Sequence, residues 1–350
     1  MNEVSTVCAK LRWIALGLLV GGFLRAQPYP NPYRIAEDWA QLPEGRTMGA
    51  VGDVDIDPDG EHLWAIIRCG GDDAAQRGFE CLNSDLDPVL KFDQSGRVVE
   101  SFGAGMFIWP HGLEVDPDGN VWVTDAVNSK RIPEGDPRGH QVIKFSPKGE
   151  VLMVLGTPGR AGNGPDSFNA PSDVVVGSDG SIFVADGHAV DTNNRIVKYA
   201  PDGTFIKAWG QTGYGPGEFQ MIHALAIDQR GRLFVADRFN NRLQIFDQEG
   251  EFLAQWTQFG RPSGVFFGAD DTIYVSDSES DNLQNPGWEM GIRIGDAHEG
   301  WVHYFVPMLI GDPRHRRGSG AEFVAVDKFG NMYGGEPSLL TLRKYIRVRR

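Results

Sequence analysis

Residues 222–238, Ile-His-Ala-Leu-Ala-Ile-Asp-Gln-Arg-Gly-Arg-Leu-Phe-Val-Ala-Asp-Arg, decide the fold. Apolar side chains run up to Asp228, a short turn ends at Gly231, and a second apolar run closes on Asp237. This reads as strand, tight turn, strand. The same unit recurs around Asp57-Pro-Asp-Gly60, Asp116-Pro-Asp-Gly119, Gly177-Ser-Asp-Gly180, Gly268-Ala-Asp-Asp271 and Asp327-Lys-Phe-Gly330. Later in the unit comes an acid: Asp125, Asp186, Asp237, Asp277 and Glu336. The first repeat has one extra residue, near His62, and lacks that acid. A third strand follows in most repeats (Val89 to Asp93, Gln141 to Ser146, Ile196 to Ala200, Leu243 to Asp247), then a turn and a fourth, such as Thr204 to Trp209.

Four antiparallel strands per unit, repeated end to end, specify an all-β chain folded as a six-bladed β-propeller. Each blade buries its faces only against its neighbours, so the ring must close. The sixth repeat offers three strands (near Phe323 to Asp327, Asn331 to Gly334 and Arg343 to Arg347), and Tyr33 to Trp39, ahead of the first, is free to supply the fourth. Such pairing also covers a sheet edge.

A repeat along the whole chain makes residues 27–350 one domain despite the 350-residue length. Residues 1–26 differ in kind: Lys10 and Arg12 precede the apolar run Trp13 to Leu24, and Ala26 ends in a cleavage-like position. They read as a signal peptide, too short to span a bilayer comfortably, which implies an exported, periplasmic or secreted protein without a stable membrane anchor. Cys8 lies before that run, so Cys69 and Cys81 remain, and export favours a disulfide between them. The net charge of -14 argues against a nucleic-acid partner. The basic cluster Arg343, Lys344, Arg347, Arg349 and Arg350 reads as a solvated strand edge and tail.

Inner strands of a propeller run the same way along the central axis, so one repeat position lies at one height in every blade. Five residues before each anchor stand Gly52, His111, Ser172, His223, Ser263 and Glu322. Possible ligands thus alternate with small residues, and His111, His223 and Glu322 converge as a three-donor metal site. Metal-ligand residue types fill about one position in six, so chance puts them in three chosen slots about once in 200. Core packing is the opposing reading, but it leaves a buried acid without a partner. Two histidines and a carboxylate suit Zn2+ and also Fe2+. His298-Glu299-Gly-Trp-Val-His303 is a weaker pattern: its histidines are five apart and run into the strand Trp301 to Val306, where a helical HExxH face does not exist.

Arg238 follows the acid Asp237, and Arg68 takes the corresponding position of the first repeat. These blades stand opposite one another, so the two guanidiniums suit a substrate carboxylate; alternatively each pairs with an acid such as Asp237 or Asp186. His188, two residues after Asp186, is placed as a general base or as a surface-loop histidine. The Gly-rich runs Gly162 to Phe168 and Gly213 to Phe219 precede no helix and read as connectors between blades, each planting an aromatic.

Phe-Val-Ala-Asp strand ends and the pairs Asn194-Arg195 and Asn241-Arg242 resemble NHL-repeat propellers. Trp109-Pro-His-Gly-Leu113, Ile222-His-Ala-Leu225, Val235-Ala-Asp-Arg238 and Ala185-Asp-Gly187 resemble peptidyl-α-hydroxyglycine α-amidating lyases, which split a C-terminal hydroxyglycine into a peptide amide and glyoxylate. That resemblance implies zinc on His111 and His223, and substrate on Arg68 and Arg238. Three departures accompany it. The family's third histidine falls at Glu322, its catalytic tyrosine at His188, and an aspartate that helps hold a structural Ca2+ at Phe323, although Val51 and Leu113 still offer carbonyls near the axis.

The expectation is a metal-dependent carbon–nitrogen lyase acting on a small molecule or peptide C-terminus that bears a carboxylate, and working as a monomer. A hydrolase of small esters, lactones or amides is the second enzymatic reading. A non-catalytic platform for protein or glycan partners, using an insertion from Ser278 to Ala297, is the third.

Overall fold

The computed structural model describes residues 29–70, 81–189, 191–308 and 320–348. The proposed signal peptide, Arg349 and Arg350 lie outside the described residues. Six four-stranded antiparallel sheets form the blades of a propeller. Their innermost strands are Val51–Ile56, Pro110–Val115, Pro171–Val176, Ile222–Ile227, Val265–Phe267 and Phe323–Val326, numbered here as blades 1 to 6. The only helical turns among the described residues are the short 3-10 segments Ser129–Arg131 and Arg238–Asn240.

The anchors form the turns read from the sequence. The amide of Gly119 bonds Asp116 O at 2.8 Å and that of Gly231 bonds Asp228 O at 2.9 Å, both glycines at positive φ. Blade 5 lacks that glycine, and Asp271 adopts the left-handed conformation at φ 58° instead. In blade 1, Asp57 N bonds His62 O, whereas in blade 2 Asp116 N bonds Asn120 O, which places the extra residue of the first repeat inside its turn.

In blades 2 to 5 the acid ending the second strand ties down the connector that leads into its own blade. Asp125 accepts the amides of Ile108 (2.8 Å) and Trp109 (2.9 Å), Asp186 that of Asn169 (2.7 Å), Asp237 that of Gln220 (2.8 Å) and Asp277 that of Arg261 (3.0 Å). Arginines of the third strands complete the unit: Arg195–Asp186 at 2.8 Å, Arg242–Asp237 at 2.7 Å and Arg343–Glu336 at 2.8 Å. Asp186 and Asp237 therefore serve this structural pairing and do not hold Arg68 or Arg238. The connectors behave as read, with Phe168 and Phe219 fully buried.

The ring closes through the N-terminal strand. Tyr33–Ala36 pairs with Thr341–Arg347 in the register Tyr33↔Arg347 to Ala36↔Lys344, completing blade 6. The strand stops short of the expected Trp39 because the chain turns at Glu37 and Asp38, the latter at φ 49°. Trp39 instead packs its ring on Tyr333 (centroids 5.0 Å) and Phe92 (5.8 Å), bridging blades 6 and 1. The stretch Ser278 to Ala297 is not wholly an insertion, because Gly291–Asp296 is the third strand of blade 5. A disulfide joins Cys69 to Cys81. No helix among the described residues is long and apolar enough to cross a membrane.

Candidate functional site

His111 and His223 stand at the entrance of the inner strands of blades 2 and 4, both fully buried, with ring centroids 4.7 Å apart. Convergence of alternate blades is therefore real. The intervening small residues orient them: His111 Nδ1 donates to Ser172 O at 2.7 Å, and His223 Nδ1 to Ser263 O at 2.9 Å. A carbonyl only accepts, so each Nδ1 carries the proton and each Nε2 is left as a lone pair facing inward.

His188 arrives from the loop after the second strand of blade 3, its ring 4.1 Å from that of His111 and 5.1 Å from that of His223. The ligand atoms of His111, His188 and His223 all lie within 4.8 Å of one another. Their Nε2 atoms are buried and have no hydrogen-bond partner. Burial depresses the pKa of each, reinforced for His111 by His223, for His188 by both other histidines and for His223 by Arg238. Three imidazoles converging on one point fit a borderline-soft divalent cation. The group differs from the expected set, for the third imidazole is His188, read from the sequence as a base.

Glu322 lies beside this group. Its Oε1 is 3.5 Å from His223 Nε2 and 3.5 Å from Arg238 Nη1. Burial pushes its pKa up, but His223, His111 and Arg68 outweigh this and hold it well below the usual carboxylate range. It is thus an ionised neighbour of the imidazoles. Phe323 lays its ring 5.1 Å from that of His223 and 5.5 Å from that of His111.

Arg68 and Arg238 are both buried here. Arg68 donates Nε–H to Pro110 O at 2.9 Å and lies 4.6 Å over the Trp109 ring, which leaves Nη2 without a partner. Arg238 has Glu322 at 3.5 Å and Glu279 at 3.8 Å, too far for good hydrogen bonds, so its Nε and Nη1 are unsatisfied. Buried N–H donors without acceptors are costly in a finished core and suited to an anionic ligand.

The sequence reading missed Trp109, Arg261 and Glu279. Glu279 Oε2 accepts from Arg261 Nε at 3.0 Å, and Arg261 stacks over Phe239 at 4.4 Å while donating to Arg238 O at 3.1 Å. The repeat contained the signal: Glu279 occupies in blade 5 the position of His188 in blade 3, and Arg261 that of Trp109 in blade 2. His298 and His303 stay apart from the site at exposed positions, His298 3.5 Å from Asp271 and His303 3.4 Å from Asp296.

Residues 107–132 match the NHL repeat model, and residues 168–257 match a six-bladed beta-propeller family model. The chain is an NHL-repeat six-bladed β-propeller. This NHL propeller is 37% identical over 175 residues to peptidyl-alpha-hydroxyglycine alpha-amidating lyase 1 of Drosophila melanogaster, covering 46% of this chain and 30% of the relative. It is 33% identical over 253 residues to human NHL repeat-containing protein 3, covering 69% of this chain and 66% of the relative. The chain spans from 21% to 66% of the length of the relatives it matches. Among solved structures, a streptogramin B lyase superposes with a TM-score of 0.56 at 15% identity, covering 90% of this chain and 97% of that one, a likeness of fold alone.

Proposed function

We propose that this NHL propeller is an exported metal-dependent carbon–nitrogen lyase. Its substrate is an α-hydroxy-amide whose hydroxyl-bearing carbon also carries a carboxylate, either a small molecule or a peptide C-terminus. The observation that carries the reading is the pairing of three orphaned imidazole Nε2 atoms with orphaned guanidinium donors in one buried site. Similarity to alpha-amidating lyases supports the reaction type. The disulfide supports export.

His111, His188 and His223 would hold the cation, Zn2+ or Fe2+. When bound, the cation supplies Lewis acidity toward the substrate hydroxyl oxygen. Arg68 Nη2 and Arg238 Nη1 orient the carboxylate and offset its charge. Glu322, the carboxylate beside the imidazoles, accepts the hydroxyl proton once Arg68 and Arg238 turn to the substrate carboxylate, whose negative charge offsets the cations that hold the Glu322 pKa down. The O–H electron pair becomes the new C=O bond, the C–N bond breaks toward nitrogen, and the departing amide nitrogen takes the proton. An amide and an oxo acid result. Burial of the group keeps bulk water from competing.

Incubating the full chain, loaded with Zn2+ or Fe2+, with α-hydroxyhippurate is expected to release benzamide and glyoxylate in equal amounts. Metal-replete protein that yields no glyoxylate refutes the lyase. A protein that takes up neither metal would favour the platform reading suggested by the similarity to NHL repeat-containing protein 3.

A further inference from the structure

Trp109 touches three residues of this site, His111, His188 and Arg68. It sits two residues before His111, at the end of the connector leading into blade 2, where Asp125 fixes its backbone amide at 2.9 Å. Its ring meets that of His188 edge-on at 5.0 Å, lies 5.4 Å from that of His111, and carries the Arg68 guanidinium on its face at 4.6 Å. The next residue, Pro110, takes Arg68 Nε–H through its carbonyl at 2.9 Å. Residues 109 and 110 thus form a seat for an arginine that belongs to blade 1.

The same repeat position carries a large side chain in two other blades. In blade 4 it is Met221, whose sulfur receives Arg238 Nη2 at 3.4 Å. In blade 5 it is Arg261, held by Glu279. In blades 1, 3 and 6 it is Ala50, Ala170 and Gly320, too small to reach a neighbour's side chain in this way. A large side chain at this height thus meets a guanidinium in blades 2 and 4, and in blade 5 the residue is itself an arginine, with Nη1 on the Arg238 carbonyl.

Packing alone does not account for the indole nitrogen. Trp109 Nε1 is buried and has no hydrogen-bond partner, like Arg68 Nη2 beside it. A buried indole N–H usually finds an acceptor, and leaving one unmade is costly. Phenylalanine would give the same stacking face without that cost.

We propose that Trp109 has two roles in the site. Its ring positions His188 and Arg68 relative to each other, fixing the separation of imidazole group and carboxylate anchor, and its indole N–H is a further hydrogen-bond donor to the substrate carboxylate, beside Arg68. The donor role rests on the lyase reading; the positioning role does not.

The test uses the full chain with Trp109→Phe and Trp109→Leu. Co2+ binding, followed by its visible absorption, reads the imidazole group, and calorimetry with hippurate, the carboxylate analogue without the reactive hydroxyl, reads the anchor. Trp109→Phe is expected to keep the Co2+ spectrum and affinity while binding hippurate about tenfold more weakly, the usual scale of one lost hydrogen bond to a charged group. Trp109→Leu is expected to shift the Co2+ spectrum, lower Co2+ affinity about tenfold, and weaken hippurate further. Wild-type hippurate affinity in Trp109→Phe overturns the donor role. An unchanged Co2+ spectrum and affinity in Trp109→Leu overturns the positioning role. Should Trp109→Leu fail to fold, Trp109→Ile replaces it with the same two outcomes. If the wild-type protein itself ignores hippurate, the lyase reading and the donor role fall together, and the Co2+ measurements alone decide positioning.

Discussion

An imidazole whose Nδ1 donates to a carbonyl keeps a lone pair on Nε2, and here those bonds go to Ser172 and Ser263, the small residues of the intervening blades. The alternation of histidine with serine was legible in the sequence, and so was the convergence of His111 and His223. The approach of a third imidazole was not, because His188 comes from a loop whose path no periodicity describes. Removal of a ligand should outweigh removal of a neighbour. His188→Ala is expected to lower Zn2+ affinity more than 100-fold, whereas Glu322→Gln lowers it by about 10- to 100-fold, the range for groups that orient ligands. Elemental analysis with chelator competition measures both, and full Zn2+ retention in His188→Ala would show that three imidazoles do not share an ion.

At the scale of elements, the connectors and turns between strands carry much of the buried polar chemistry. His140, at φ 58° beside the third strand of blade 2, accepts the Ala170 amide on Nδ1 at 3.0 Å, so its Nε2–H faces Ser129 Oγ at 3.0 Å. This bond ties blade 2 to the segment entering blade 3 and requires a neutral ring. Burial accordingly lowers the His140 pKa to about 4. As pH falls from about 6.5, the unfolded chain takes up the proton before the folded one does. The contribution is therefore complete above about pH 6.5 and is lost as pH falls toward 4, amounting to about 3 kcal/mol. Urea midpoints between pH 7 and 4.5 should show this limb, and His140→Asn should flatten it by about one proton's worth; an unaltered slope in the variant would assign the acid sensitivity elsewhere.

For the whole molecule, stability depends on a ring with no free end. Tyr33, buried in the final strand, packs among Tyr274, Val324 and Tyr345, while Val348 N bonds Pro32 O at 2.8 Å. Deleting the Tyr33 ring removes a core aromatic and loosens the pairing that holds blade 6 to the N-terminus. Tyr33→Ala is expected to cost about 3 kcal/mol, seen as a lower urea midpoint. The loss should reach all blades together, since each is completed only by its neighbours. Hydrogen exchange that speeds up in blade 6 alone would show instead that the ring tolerates an open seam.

Fold and blade number were determined by the sequence itself, because a strand–turn–strand unit ending on an acid repeats along the chain and each unit can bury its faces only against the next. Repetition also determined which residues share a height on the axis: His111, His223 and Glu322 at one level, and Arg68 and Arg238 at another. Tertiary structure alone decided what meets at that axis. The loop carrying His188 closes over two imidazoles to complete the group, Glu322 turns to Arg238 and His223, and Trp109 settles beneath Arg68. Those choices depend on side-chain direction and on free hydrogen-bonding capacity across blades far apart in the chain, which a linear pattern does not encode.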